Sequence, residues 1–323
     1  MTRLLRDTFR PVKRLIATLS ACALFGCGAA WAQADDLAVS HTLYGGRFEY
    51  TVQDGDSLTG IGARFGESVR DIAQINGIPF NSRLFPGQRL DIDNRHVVPA
   101  GLADGIVINL PQRMLFLFQG GELMGAYPVG LGKPSWPTPS GEFHVVELRK
   151  HPIWFVPVSI QEEMRLKDKE VKTQVPPGKD NPLGDYWIGL NLPGYGIHGT
   201  NAPPSVYHFQ SHGCIRLQPD AAELVFSQVR VGTPGKILYA PLLLAHLEDG
   251  RIYLEVNRDV YKLGGNKLED LRTLAAANDL TDRIDWQKAA QVVELREGIA
   301  RQIDMQANAT ESKGDIVETK QPK

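Results

Sequence analysis

The hydrophobic pattern of residues 48–93 predicts a small block with two strands and two helices. Alternation in Tyr50-Thr51-Val52 indicates a strand, and Asp54-Gly55-Asp56 indicates a turn. Apolar residues then recur at helical spacing in two runs, the first capped by Ser57 and the second stopped by Asn76-Gly77. A closing strand over 88–92 follows Pro86-Gly87. The predicted order is βααβ.

From Gly105 to Ala240 the pattern changes to short apolar runs between glycine and proline turns, which predicts a mostly β domain. A single helix, with acidic residues in its first turns, is predicted over 219–229. The predicted strands are 106–110, 114–118, 123–129, 141–146, 186–190, 196–197 and 235–239.

Residues 241–305 predict a C-terminal extension with a strand at 251–256 and helices at 266–277 and 285–303. The polar, aperiodic residues 306–323 predict a disordered tail. The fold class is therefore α+β: a small βααβ block, a mostly β domain, and a helical extension.

The N-terminus predicts export. Residues 1–32 combine a basic start, an apolar run and the small-residue site Ala30-Trp31-Ala32, as a signal peptide does, and the polar residues 33–47 predict a linker. Leu24-Phe25-Gly26-Cys27 also resembles a lipoprotein cleavage box, so free secretion and lipidation at Cys27 both stay open. Either route leads out of the cytoplasm, and we expect a periplasmic protein.

Charge excludes one class of partner. The formal net charge is only −2, and the signal removes several basic residues, so the mature chain offers no basic field for nucleic acid.

Cysteine use points to reactivity. Of three cysteines, Cys22 and Cys27 lie in the export signal, so Cys214 has no partner for an internal disulfide. His198 and His212 are candidate bases that would help to generate the thiolate. Two alternatives stay open at this point, namely an inert buried thiol and a zinc site built from His198, His208, His212 and Cys214.

Residues 50–58 (YTVQDGDSL), together with Asn76 and 84–90 (LFPGQRL), resemble the LysM module. That resemblance covers 48–93 and implies binding to N-acetylglucosamine-containing glycans such as peptidoglycan. A small packing domain without a ligand is the alternative.

Residues 197–202 (IHGTNA) and 211–217 (SHGCIRL) resemble the signature of the L,D-transpeptidase catalytic domain of the YkuD type, and of its ErfK/YbiS group. Further matches fall at 129–130, 138–143, 152–154 and 181–184. Coverage is 105–240. One departure, Val206-Tyr207-His208-Phe209-Gln210, predicts a loop that lines the approach to the cysteine and alters acceptor preference.

The resemblance implies a role for each matching residue. Cys214 is the nucleophile and His198 its base, with the ring oriented by the carbonyl of Gly199. Gly213 lets backbone N–H groups face the oxyanion. The resemblance also places three residues at the substrate site, namely Ser211, His212 and Arg216. A structural ion pair is the alternative for Arg216.

The implied reaction needs no cofactor and no metal. Cys214 displaces D-alanine from a tetrapeptide stem and passes the diaminopimelate acyl group to an amine, giving a 3→3 cross-link or anchoring the lysine of an outer-membrane lipoprotein or other protein. A free D-amino acid is a third acceptor. Two alternatives stay open: hydrolysis of the same thioester by water, and a non-catalytic wall-binding protein.

Overall fold

A computed structural model describes residues 39–305 of the chain. The predicted signal peptide, the lipidation candidate Cys27 and the predicted tail lie outside these residues. No helix within 39–305 combines the length and apolarity that a membrane span needs.

The N-terminal block has the predicted βααβ order. Each helix begins at a serine cap: Ser57 accepts the N–H of Gly60 at 3.1 Å, and Ser68 accepts that of Asp71 at 3.2 Å. The first helix ends at Gly66 in the left-handed conformation. The elements of this region are β1 (Leu43–Tyr44), β2 (Arg47–Thr51), α1 (Leu58–Phe65), α2 (Val69–Ile75), β3 (Arg89–Asp93) and β4 (His96–Val97).

The described part of the expected linker is built into the fold. Strand β1 pairs with β4, and Ser40 forms a bridge to Ala245 of the C-terminal extension. Both contacts join residues far apart in sequence, so the local polar pattern of 39–47 gave no sign of them.

The central region is a closed β-barrel. Strand β7 pairs with β14 on one side and with β6 on the other, so the sheet returns on itself. The elements are β5 (Gly105–Asn109), β6 (Met114–Gln119), β7 (Glu122–Gly132), β8 (Gly141–Lys150), β9 (Trp154–Phe155), α3 (Val158–Leu166), β10 (Gln174–Val175), β11 (Tyr186–Leu190), β12 (Gly196–His198), β13 (Phe209–Ser211), β14 (Ile215–Leu217), α4 (Pro219–Gln228) and β15 (Pro234–Leu238).

Packing in the barrel core explains why strands form at the apolar runs that the sequence predicted. Inward residues of β5, β6, β12 and β14 join one buried cluster, and α4 covers it with Ala222 and Val225. Because β14 begins at Ile215, directly after Cys214, its packing in this cluster also restrains the position of Cys214.

The segment 151–180, which we call the α3 hairpin, contains elements that the pattern did not predict. Strands β9 and β10 pair antiparallel, and α3 lies between them without burying any side chain. Asn181, fully buried, closes the base by donating its side-chain amide to the carbonyl of Pro152 at 2.8 Å.

The C-terminal extension mixes strands with helices. The predicted helix over 285–303 is wrong beyond residue 295: Arg296 takes a positive φ of 51°, and the chain then runs into a strand that pairs with β17. The elements are β16 (Leu242–His246), β17 (Ile252–Val256), α5 (Leu268–Ala277), α6 (Trp286–Leu295) and β18 (Arg301–Gln302).

Glu255 on β17 joins all three regions. It is fully buried, and each carboxylate oxygen has two partners. Its Oε1 lies 3.1 Å from both His96 Nδ1 and Asn257 Nδ2, and its Oε2 lies 2.8 Å from the Val97 nitrogen and from Gln112 Nε2. A buried carboxylate with four donors is well satisfied, whereas the donors would be unsatisfied without it.

We therefore predict that Glu255→Ala lowers the free energy of unfolding by about 3–5 kcal/mol, because it leaves several buried donors without a hydrogen-bond acceptor. Urea denaturation followed by tryptophan fluorescence measures the change. Glu294→Ala, at an exposed position of α6, is the matched control and should shift stability by no more than about 0.5 kcal/mol. Equal effects of the two substitutions would contradict the role given to Glu255.

Candidate active site

Two neighbouring parallel strands bring the predicted base and nucleophile to one face. In the β12–β14 pair, Ile197 lies opposite Ile215 and His198 opposite Arg216. Both isoleucines are fully buried in the barrel core. Because side chains alternate along a strand, His198, Arg216 and Cys214 share the other face.

Cys214 is half-buried and carries the free thiol of the described chain. Its Sγ lies 3.6 Å from the carbonyl oxygen of Gly194. Burial raises the pKa of this thiol, while the backbone of Gly196 and the positive charge of Arg216 act in the opposite direction. The resting side chain is therefore a neutral thiol, which needs a base to become a nucleophile.

His198 is placed to be that base. It is only 4% exposed, and its Nδ1 donates to the carbonyl of Gly199 at 2.6 Å, so Nε2 keeps the lone pair. The ring stacks against Trp187, with centroids 5.9 Å apart. Burial lowers the pKa of His198 to about 4, and Arg216 adds to that effect. The imidazole is thus neutral and able to accept a proton at neutral pH.

Gly213 shapes the turn that presents the thiol. Its φ is +104°, and a Cβ at this position would lie 2.6 Å from the ring of Tyr195. Ser211 braces the same turn, since its hydroxyl accepts the N–H of Gly213 at 3.1 Å and donates to the carbonyl of Cys214 at 2.6 Å.

These bonds occupy one backbone donor of the turn, because the N–H of Gly213 donates to Ser211 Oγ. Ser211 and Gly213 together hold the turn that presents the thiol. The role of backbone N–H groups near Cys214 in binding an oxyanion stays a prediction.

A second support for the turn was missed by sequence reasoning. The Thr138 hydroxyl donates to the Gly213 carbonyl at 2.8 Å and accepts the N–H of Gly132 at 3.0 Å. Tyr261 of the extension in turn accepts the N–H of Thr138 and donates to the Gly132 carbonyl at 2.6 Å. Thr138 lies in the segment 138–143, which resembles the catalytic-domain family, but no local sequence pattern indicated Tyr261.

Arg216 is a half-buried cation beside the thiol. Its Nε has no hydrogen-bond partner, and no acidic side chain between residues 39 and 305 forms an ion pair with it. Burial lowers the pKa of Arg216, and the neighbouring Cys214 opposes that shift. The structural ion pair that was the alternative for Arg216 is therefore not found in the described part of the chain.

His212 faces the α3 hairpin. Its Nε2 lies 2.5 Å from Glu163 Oε2 and 3.3 Å from Lys133 Nζ, and its ring centroid lies 4.3 Å from that of Trp136. Burial lowers the pKa of His212, while the hydrogen bond to Glu163 raises it. Neither Glu163 nor Lys133 was a predicted site residue.

The loop 206–210 differs from what the sequence indicated. Val206 and Tyr207 are buried, and the guanidinium of Arg113 lies 3.8 Å from the centre of the Tyr207 ring. These two side chains pack inward and do not line the approach to the thiol. His208 is half-buried in the same loop. Across residues 39–305, no group of three or more His, Cys, Asp or Glu is placed to hold a metal ion, so the zinc alternative has no support there.

Comparisons with known proteins identify both domains. The family model for the L,D-transpeptidase catalytic domain matches residues 103–237, and the LysM domain model matches residues 50–93. A Salmonella typhimurium protein described as a probable L,D-transpeptidase, ErfK/SrfK, is 28% identical over 75% of this chain and 81% of its own. An Escherichia coli protein described as a probable L,D-transpeptidase, YcfS, is 31% identical over 66% of this chain and 68% of its own.

Among solved structures, L,D-transpeptidase 3 from Mycobacterium tuberculosis is 16% identical and superposes with a TM-score of 0.34, covering 62% of this chain and 93% of its own. That superposition is loose, and the assignment rests on the sequence relatives. The similarity to YcfS spans more than two thirds of that protein's length at over 30% identity. The chain therefore belongs to the L,D-transpeptidase family, and it carries a LysM domain before the catalytic one.

Proposed function

We propose that the enzyme acts on peptidoglycan through a thioester on Cys214, taking tetrapeptide stems as donors. The observation that supports the proposal is the β12–β14 pair, in which the buried, neutral imidazole of His198 lies opposite the unpaired guanidinium of Arg216, and the free thiol of Cys214 comes directly before β14. A nucleophile, a base and a site for a substrate carboxylate are the groups that acyl transfer from a peptide requires.

In the first step His198 takes the thiol proton, and Cys214 Sγ attacks the carbonyl carbon between the L-centre of diaminopimelate and the terminal D-alanine. The backbone N–H of Cys214 is the donor that we assign to the resulting oxyanion. The carbon–nitrogen bond then breaks, and the proton on His198 passes to the departing D-alanine amine. Arg216 binds a carboxylate of the donor stem.

In the second step an amine attacks the thioester. His198 takes the amine proton and returns it to the sulfur, so the free thiol is regenerated and a new amide forms. We favour transfer over hydrolysis because the chain belongs to a family named for transfer. A second stem or a protein lysine both supply the required amine.

The LysM domain adds a hold on the glycan. Binding the sugar chain would raise the local concentration of stems at the catalytic domain on the same polypeptide. We place the enzyme outside the cytoplasm, in the periplasm, where its substrate lies, with residues 1–32 as the export signal. Lipidation at Cys27 would tether it to a membrane surface.

The nucleophile can be tested with a carbapenem, a β-lactam that acylates such thiols. Intact-mass spectrometry should show one adduct on the wild-type chain and none on Cys214→Ala, because that substitution removes the only thiol of the described residues. Thermal melting of the variant controls for folding. An adduct of equal mass on Cys214→Ala would rule out Cys214.

Transfer and hydrolysis are separated by their products. Purified disaccharide tetrapeptide incubated with the enzyme should give D-alanine and a cross-linked dimer, read by liquid chromatography and mass spectrometry. Added glycine or D-methionine should be incorporated in place of D-alanine, because either supplies the attacking amine. Free tripeptide as the sole product would show that water resolves the thioester.

The protonation state of His198 predicts the acid side of the pH profile. With a pKa of about 4, the base stays neutral as pH falls through 5.5 and is lost only near pH 4. We expect kcat/KM to change by no more than about twofold between pH 7.5 and 5.5. With a base of ordinary histidine pKa, kcat/KM would fall roughly tenfold over the same range, because most of the base would become protonated.

The same property has a direct readout in the imidazole resonances. Nuclear magnetic resonance of ring-labelled histidine should show no titration of His198 between pH 5.5 and 8. A midpoint near pH 6.5 for this ring would contradict the neutral buried state.

A further inference from the structure

A cluster of charged side chains lies beside the nucleophile, outside the residues that the proposed mechanism uses. Lys133 and His212 both contact the carboxylate of Glu163 on α3, at 3.6 Å and 2.5 Å. Trp136 packs against both side chains, with its ring 4.9 Å from Lys133 Nζ and 4.3 Å from the His212 ring. Lys133 and His212, which both contact the Trp136 ring, therefore bind the carboxylate of Glu163.

Backbone contacts bind this cluster to the catalytic turn. The N–H of Lys133 donates to the carbonyl of Ser211 at 3.0 Å, and Ser211 in turn donates to the carbonyl of Cys214. His212 is two residues before Cys214. The carboxylate of Glu163 therefore contacts residues that are joined to the segment carrying the thiol.

Glu163 is held in a way that allows exchange. No side chain of α3 is fully buried, and its apolar residues Ile160 and Met164 are only half-buried, so the helix has no buried apolar anchor. The side chains of Glu163, His212 and Lys133 are 25%, 26% and 32% exposed, and ion pairs in contact with water are weak and exchangeable. Lys167, one turn further along α3, also pairs with Glu163 and would keep it paired after it left the cluster.

We propose that Lys133 and His212 form a carboxylate-binding subsite for the donor stem, and that Glu163 of α3 occupies this subsite until the donor displaces it. The inference rests on the proposed function, since it takes the tetrapeptide stem as donor. Arg216 then receives one carboxylate of the stem and the Lys133–His212 pair receives another. The two sources are the terminal D-alanine carboxylate and the side-chain carboxylate of diaminopimelate.

The kinetics of D-alanine release from purified disaccharide tetrapeptide by the full chain test the subsite. Lys133→Met should raise KM about tenfold, the cost of one charge-assisted hydrogen bond, with kcat changed by no more than about twofold. Lys133→Arg keeps the charge and should restore most of the affinity. Lys172→Met, at an exposed lysine of the α3 hairpin, is the matched control and should leave both constants unchanged.

The competitor role of Glu163 predicts the opposite sign. Glu163→Gln should lower KM several-fold, because a neutral amide competes less well than a carboxylate for Lys133 and His212. Glu162→Gln, on the adjacent exposed position that pairs with Arg165, should have no such effect. An unchanged KM in Lys133→Met, or a raised KM in Glu163→Gln, would overturn the inference.

Amidated donors identify the carboxylate. Amidation of the group that Lys133 contacts should raise the wild-type KM as much as Lys133→Met does, and the two changes together should not add. Additivity for both amidated donors would count against the subsite. Failure of the wild-type chain to release D-alanine at all would refute the proposed function instead, so the two ideas fail in different ways.

Discussion

The fully buried carboxylate of Glu255 is the constraint on which the arrangement of the three regions depends. Its four partners come from β4, the turn after β5, and Asn257 directly after β17. A buried carboxylate of this kind depends on its donors, because each lost partner leaves a charge or dipole unsatisfied away from water. The LysM domain is joined to the same network through His96, whose Nε2 lies 3.0 Å from the carbonyl oxygen of Gly66.

Local chemistry made much of the fold predictable. The cap at Ser57 and the end of the second helix before Asn76-Gly77 depend on bonds within a few residues, so the sequence predicted both helices of the βααβ block. The cap at Ser68 and the stop at Gly66 act over the same short range but were not predicted. The barrel strands followed from apolar runs between turns. His198 and Cys214 were found because their residue types and motif carry the chemistry, and their common face follows from strand alternation.

The features that were not predicted depend on contacts between residues that lie far apart in the sequence. Closure of the barrel needs β6 and β14 to meet the same strand, and Thr138 meets Tyr261 across 123 positions. The α3 hairpin was missed because it has no buried face to produce a periodic pattern. The hydrogen bond from the N–H of Gly213 to the hydroxyl of Ser211 was likewise not indicated by the sequence pattern.

Tyr261 has a consequence for how the catalytic unit should be delimited. The family model ends at residue 237, yet the phenol that fixes Thr138, and through it the carbonyl of Gly213, comes from the segment beyond. The extension therefore helps to fix the conformation of the nucleophile turn. Residues 103–237 alone, moved into another scaffold, would contain the reacting groups. They would lack Tyr261, whose hydrogen bonds hold the conformation of the turn before Cys214.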